Sequence, residues 1–275
     1  ILSFSAYTQV TIPRTPDQNT MALWHLDEMT PGDIQDVSGY GNHGLTLGTM
    51  VVPGRAGNGR FFNGTSDFIS AGDPGNGSLD FSSAESFTVE CWFKTTSSNP
   101  MQLIRKGLAP EPGYTLIVSG GNVVGMIGNR ADGTPPDALL SITSTATFND
   151  GQWHHAMLIR DRPIQKIFLY VDGEPAASPV IDTFPYSIAS NRPLTIGRWE
   201  NADFPYFFDG VMDEVRITRD ARHPKAFPPL MALWNFDNPT DNTLLDSTQN
   251  YNHGLLSGTT ITPGVSGSAR AFNGA

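Results

Sequence analysis

Residues 21 to 65 of this 275-residue chain return, without a gap, as residues 231 to 275. Met21-Ala22-Leu23-Trp24, Asp27, Asp36, Asn42-His43-Gly44 and Arg60-x-Phe62-Asn63-Gly64 are matched by Met231-Ala232-Leu233-Trp234, Asp237, Asp246, Asn252-His253-Gly254 and Arg270-x-Phe272-Asn273-Gly274. About twenty of the 45 aligned positions are identical at a constant offset of 210, which marks a duplicated domain and not a short solenoid repeat. The expected organisation is a complete unit over residues 21–228 and the N-terminal part of a second unit over 229–275. Residues 1–20 are then an N-terminal strand or linker, or the end of a preceding repeat. The latter rests on the likeness of Thr8-Gln9-Val10-Thr11-Ile12-Pro13-Arg14 to Asp213-Glu214-Val215-Arg216-Ile217-Thr218-Arg219, since each lies shortly before Met-Ala-Leu-Trp.

Such a unit is built of strands. Twenty-eight Gly and 21 Pro describe short strands joined by frequent turns, because these residues supply positive or fixed φ. Short segments with turn signals at their ends follow one another: Ala22–Leu26, Gly44–Leu47, residues 61–62, Phe68–Ser70, Phe87–Lys94, Met101–Arg105, Tyr114–Val118, Val123–Ile127, Leu139–Thr143, His155–Arg160, Lys166–Val171, Leu194–Ile196, residues 210–211 and Glu214–Thr218. With no helical pattern between them, they indicate an all-β antiparallel sandwich or barrel. Asp172-Gly173 after Lys166–Val171 is a hairpin turn signal. Alternation of Ile167, Leu169 and Val171 with Phe168 and Tyr170 predicts a strand with both faces at least partly covered.

A net charge of -10 and a pI near 4.9 argue against nucleic acid and anionic membranes as partners, because both call for a basic patch. Cys91, the single cysteine, excludes an internal disulfide and a thiolate zinc cluster, and in its strand it reads as a small buried hydrophobe. No apolar run approaches the roughly 18 residues that span a bilayer, so no transmembrane segment is expected; the start Ile1-Leu2-Ser3-Phe4 shows no signal-peptide features.

The ordered blocks Ala22-Leu23-Trp24-x-x-Asp27, Asp36-x-Ser38-Gly39-x-Gly41-Asn42-His43-Gly44, Phe62-Asn63-Gly64, Phe87–Phe93, Asp150-Gly151-Gln152-Trp153-His154-His155, Leu169-Tyr170-Val171-Asp172-Gly173 and Gly210–Ile217 resemble a laminin-G-like domain of the concanavalin A-like lectin and glucanase superfamily. The resemblance covers residues 21–219. It implies a jelly-roll β-sandwich, an extracellular or cell-surface setting, glycan or protein binding, and often a structural calcium ion.

Trp24, Trp92 and Trp153 are expected to fill the core between the sheets. His154 and His155 are adjacent in a strand and point to opposite faces, so they do not converge on one ion. Asp27, Asp36 and Asp213 are the candidate metal ligands. A jelly roll brings its first and last strands together, and these carboxylates, with carbonyls of the Gly39–Gly44 loop, are the hard oxygen donors that calcium takes. The alternative is that Asp36 caps its own turn and Asp213 the entry to the last strand. The aromatic loop from Arg198 to Asp209 offers Trp199, Asn201 and Tyr206 as ligand-binding residues, while Phe207 and Phe208 are expected to begin the last strand and be buried.

No Glu-x-Asp-x-x-Glu stretch of the kind a glycosidase strand of this fold carries is present, and no nucleophile elbow or His-Glu-x-x-His occurs, so no catalytic residue is expected. The leading expectation is a non-catalytic extracellular binding or adhesion module for a glycan or cell-surface protein. One alternative is a structural repeat of a surface array or fibre, in which the incomplete C-terminal repeat is completed by another copy. Another is an accessory domain of a larger carbohydrate-active enzyme.

Overall fold

The computed structural model describes residues 13–30, 32–107, 112–129, 138–182, 184, 186–199, 206–224, 236, 243–244, 254–257, 259–264 and 268–272. The chain divides into two compact units, residues 1–224 and 225–275. Among the described residues all regular structure is β.

The first unit carries β1 (Thr20–Trp24), β2 (Asp33–Ile34), β3 (Gly44–Leu47), β4 (Met50–Pro53), β5 (Asn58–Asn63), β6 (Phe68–Gly72), β7 (Phe87–Lys94), β8 (Met101–Gly107), β9 (Gly113–Ser119), β10 (Asn122–Asn129), β11 (Ala138–Thr147), β12 (His154–Asp161), β13 (Lys166–Val171), β14 (Glu174–Pro175), β15 (Val180–Ile181), β16 (Leu194–Ile196) and β17 (Asp209–Thr218). One sheet runs β14-β13-β12-β7-β17-β5-β4, with β1 also on β17 and β15 on β13; the other runs β11-β10-β9-β8-β16-β6-β3-β2. Every pairing is antiparallel.

The period-2 alternation decides which side chains meet between the sheets. Phe87, Val89, Cys91 and Phe93 of β7 and Ile167, Leu169 and Val171 of β13 join Leu103, Tyr114, Leu116 and Ile196 of the other sheet in one buried cluster. Phe81 stacks on Phe87 with ring centroids 4.6 Å apart. The polar atoms of the large aromatics are satisfied: Tyr114 Oη donates to the Leu79 carbonyl at 3.0 Å, and Trp24 Nε1 to that of Asn42 at 2.8 Å. Burial pushes the Cys91 thiol well above its usual pKa, as befits a small hydrophobe.

Gly44–Leu47, Phe87–Lys94, Lys166–Val171 and Leu194–Ile196 form as strands with the expected bounds. Asp172 and Gly173 both take positive φ, 55° and 85°, which is the geometry that matches the twist of a two-residue hairpin. The strand expected over Ala22–Leu26 stops at Trp24, because Leu26 lies at φ 62°. The two expected segments at 210–211 and 214–218 are one strand, β17, with a bulge. The short strands β2, β4, β14 and β15 were not expected. The proposed strand over Thr8–Arg14 lies outside the described residues up to position 12, and Pro13 and Arg14 are not in a strand.

Trp92 and Trp153 do not fill the core. Since Cys91 and Phe93 point inward, Trp92 must point outward, where it is half-buried beneath the Arg55 guanidinium at 4.6 Å and beside His155 at 5.1 Å. Trp153 precedes β12 and lies half-buried with Lys94 Nζ 5.3 Å from its ring. His154 and His155 do diverge: His154 bonds Asp150 and Asp172, and His155 bonds Glu90.

On the outer face of the β7 sheet, Glu90 is wholly buried between Arg14, Arg216 and His155, at 3.0, 2.5 and 2.8 Å. Burial alone raises its pKa, but Arg14, His155 and Arg216 outweigh that and hold it far below the usual carboxylate range. The entry and exit legs of the unit are clasped on each other. Asp17 accepts from Arg222 at 2.6 Å, Asn19 Nδ2 donates to Asp220 at 3.1 Å, and Arg219 N donates to the Asn19 carbonyl at 2.8 Å.

In the second unit, β18 (Thr243–Leu244) pairs with β19 (Gly254–Leu255), and β20 (Thr259–Pro263) with β21 (Ser268–Phe272). Thr243 opposes Leu255 as Asp33 opposes Leu45, and Ile261 opposes Arg270 as Val51 opposes Arg60. Both repeated hairpins keep the register of the first copy.

The Glu90 cluster generates a prediction. Glu90→Gln leaves the buried Arg216 and the half-buried Arg14 without their counter-charge, and breaking a buried pair from one side costs about 3 kcal/mol or more. Urea unfolding of the first unit is expected to show that loss, whereas Asp17→Asn, at an exposed pair, is expected to cost less than about 1 kcal/mol.

Candidate functional site

Two clusters concentrate the chemistry of the first unit. The first lies where β17 meets the loop between β4 and β5. Asp213 is wholly buried, and its Oδ2 accepts the backbone N–H groups of Arg55 at 2.6 Å and Ala56 at 2.8 Å. Its Oδ1 is buried and receives no hydrogen bond among the described residues. Burial pushes its pKa up to about 7, against the opposing pull of the two N–H groups. Asp27 reaches the same loop from the other side, its Oδ1 accepting from Asn58 N at 2.6 Å. The carboxylates approach so closely that the loop has to be glycine-bearing. A Cβ on Gly57, at φ 72°, would stand 2.5 Å from Asp27 Oδ1, and one on Gly54 would stand 2.2 Å from the Asn58 carbonyl. Arg60 holds the turn after Asp27 by donating to the Glu28 and Thr30 carbonyls.

Asp36 stands apart from this loop. Its two oxygens take four donors: Leu23 N and Ser38 N at Oδ1, and Ser38 Oγ and Asn42 N at Oδ2. It is the cap of its own turn, and the Gly39–Gly44 loop belongs to that turn and not to Asp27 or Asp213. Among the described residues no group of three or more His, Cys, Asp or Glu side chains is placed to hold a metal. A cation here would therefore take two carboxylates, with backbone carbonyls and water completing the shell, a donor set that suits calcium and not zinc. The residues between Gly54 and Asn58 escaped the sequence reading. Their signal was present, since Pro53-Gly54-x-x-Gly57 returns as Pro263-Gly264-x-x-Gly267.

The second cluster lies on the outward face of the other sheet. Trp199, just past β16, and Tyr206 are half-buried with ring centroids 5.1 Å apart, joined by Trp199 N donating to the Tyr206 carbonyl at 3.1 Å. The Arg105 guanidinium lies 4.6 Å from the Trp199 ring, and burial pulls its pKa down to about 10. Arg198 covers Phe68 at 4.4 Å and Phe207 at 5.8 Å. The result is a platform of four aromatic side chains and two guanidiniums on β6, β8 and the segments that flank β16 and β17. Asn201 lies outside the described residues. Phe208 is buried against Phe62, as expected, but Phe207 is half-buried, and β17 begins only at Asp209. Arg105 was missed because it sits 94 positions from Trp199 in a strand that reads only as core.

Several solved structures share this fold. The binding domain of Paraclostridial Mosquitocidal Protein 1 superposes with a TM-score of 0.61 at 16% identity, over 74% of this chain and 49% of that one. The botulinum neurotoxin serotype G binding domain superposes with a TM-score of 0.59 at 11% identity, over 93% of this chain and 65% of that one. Domain 4 of AbnA, an extracellular arabinanase from Geobacillus stearothermophilus solved in complex with arabinotriose, superposes with a TM-score of 0.56 at 19% identity, over 75% of this chain and 95% of that domain. The chain thus spans about half the length of the mosquitocidal binding domain and nearly all of the arabinanase one. Comparison with curated protein sequences returned no match. The family model described as the concanavalin A-like lectin/glucanases superfamily, Laminin_G_3, matches residues 63–226, a stretch that runs from the end of β5 through β17 and so contains most of both sheets. With the two antiparallel sheets packed on one core as that family requires, the chain belongs to the concanavalin A-like lectin/glucanases superfamily.

Proposed function

We propose that the first unit is a non-catalytic binding module of an extracellular or cell-surface protein and takes a glycan on the Trp199–Tyr206 platform. The observation that carries this is the platform itself: two rings, only half-buried, held against Arg105 at the sheet surface. Aromatic rings fixed in this way present an apolar plane to sugar C–H faces at little entropic cost. The toxin binding domains and the arabinanase domain with arabinotriose support a binding role, and an accessory domain of a carbohydrate-active enzyme is one setting for it. The acidic residues support a non-catalytic reading. Glu90 is neutralised by Arg14 and Arg216, and Glu214 accepts from Arg14 N at 3.0 Å and contacts His25 at 2.7 Å, so neither is poised as acid or nucleophile. Among the described residues no helix is long and apolar enough to cross a membrane.

A structural calcium ion belongs to the same proposal. Asp27 and Asp213 would hold it, and the unpartnered buried oxygen of Asp213 is the group that fits it. The ion would supply a counter-charge for a carboxylate that is otherwise buried at a cost, and so stiffen the β4–β5 loop.

A second reading, favoured by the repeated hairpins, is that the C-terminal unit mediates association between copies or repeats. Phe272 is 70% exposed, whereas its counterpart Phe62 is fully buried under β17 and Phe208. An exposed apolar face of this kind is an assembly surface.

Three outcomes are expected. Trp199→Ala and Tyr206→Ala each weaken glycan binding at least about tenfold, measured by calorimetry on the ligand found by an array, with thermal unfolding unchanged. Calcium raises the unfolding midpoint of the wild type and not of Asp213→Asn, and chelation reverses the rise. The full chain sediments as an oligomer while residues 1–229 sediment as a monomer, and a monomer for both excludes the assembly reading.

A further inference from the structure

A groove of about 460 Å³ opens on the outward face of the second sheet at its β2 edge, lined by Asp33, Gln35, His43, Leu45, Ser70 and Gly72 among others. Its polar groups are available for a ligand. The Asp33 carboxylate and the Gln35 amide are exposed and make no side-chain hydrogen bond among the described residues. His43 Nδ1 accepts the Asp36 N–H at 3.1 Å, which leaves Nε2–H as the donor of the neutral ring. Leu45, 51% exposed, gives the groove an apolar wall.

Its position relative to the platform follows from strand register. Asp33 opposes Leu45, Leu45 opposes Ser70, Ser70 opposes Thr195, and Thr195 opposes Arg105. Opposed residues share a face, so these five form one transverse row. Ser70 in the groove stands two strands, about 10 Å, from the arginine that carries Trp199. Arg198 over Phe68 flanks the interval, because Phe68 is two residues along β6 from Ser70.

We propose that the groove is a second subsite for the same ligand and takes a neutral sugar ring, so that the module reads an oligosaccharide lying across the strands and not a single terminal residue. A carboxylate that accepts, an imidazole that donates and an amide that does both fit neighbouring hydroxyls of one ring. Asp33, on a chain of net charge -10, disfavours anionic sugars and phosphate. This inference rests on the glycan reading of the platform.

The test uses the full chain and graded neutral oligosaccharides, from one to six units of arabinan, xylan and β-glucan. The wild type is expected to bind longer chains more tightly than mono- and disaccharides. Asp33→Ala/Gln35→Ala is expected to abolish that gain, about tenfold, while short-ligand affinity stays within twofold. Trp199→Ala lowers both. Both groove residues are exposed, so unfolding midpoints should match the wild type. If the double variant keeps the full gain with length, the groove proposal is overturned and the platform reading stands. If folded wild-type protein binds no member of the series, the glycan reading fails and this inference with it.

Discussion

The bulge at Glu214 in β17 decides where the charged residues of the closing strand point. β17 pairs with β5, β7 and β1, so it is the strand through which the first and last parts of the unit close. In a regular strand Asp213 and Glu214 would point to opposite faces, one of them into the apolar core. Glu214 instead takes φ 51° and the register against β7 shifts between Asp213 and Arg216. Both acids thereby avoid the core, while Met212, Val215 and Ile217 stay in it. Asp213 goes to the β4–β5 loop and Glu214 to His25 and Arg14. Arg216 lands directly opposite Glu90.

The two sides of the sandwich then divide the work. The β7 sheet carries its charge as closed pairs: Glu90 with two arginines, Arg160 with Asp182 at 2.7 Å, and the legs clasped through Asp17 and Arg222. Such groups hold the chain ends and leave little for a ligand. On the other sheet the Asp33 and Gln35 side chains are exposed and make no side-chain hydrogen bond among the described residues, so a ligand there can gain hydrogen bonds without breaking any.

How much of this could be read in advance depended on whether the controlling contact was local. The Asp172-Gly173 hairpin, β7 and β13 were legible because alternation and turn chemistry act over a few residues. The same alternation contained the correction for Trp92: once Phe93 and Cys91 are assigned inward, Trp92 cannot be core, and treating tryptophan as core by size alone overrode the register. Asp27 and Asp213 were legible as a pair because the first and last strands had to meet. The loop they actually meet was not, since Gly54 and Gly57 are set by clearances of 2.2 and 2.5 Å that only the folded chain shows. Trp199 could be singled out from local composition, but its fixing by Arg105 comes through the β8–β16 pairing and has no trace in sequence.

The internal repeat separates frame from recognition. Asp27, Pro53, Gly54 and Gly57 recur as Asp237, Pro263, Gly264 and Gly267 and shape or pin the β4–β5 loop, and Arg60, which holds the turn after Asp27, recurs as Arg270. His43 recurs as His253, in keeping with the backbone N–H that its Nδ1 accepts. Asp33 and Gln35 are different: their counterparts are Thr243 and Leu245. The hairpin register is unchanged by these replacements, so neither side chain is needed to form it. The two copies thus keep the loop residues Pro53, Gly54 and Gly57 and the groove residues His43 and Leu45, and differ at Asp33 and Gln35. Asp33 and Gln35 therefore have no part in forming the hairpin, which leaves their side chains to the ligand that the groove is proposed to take.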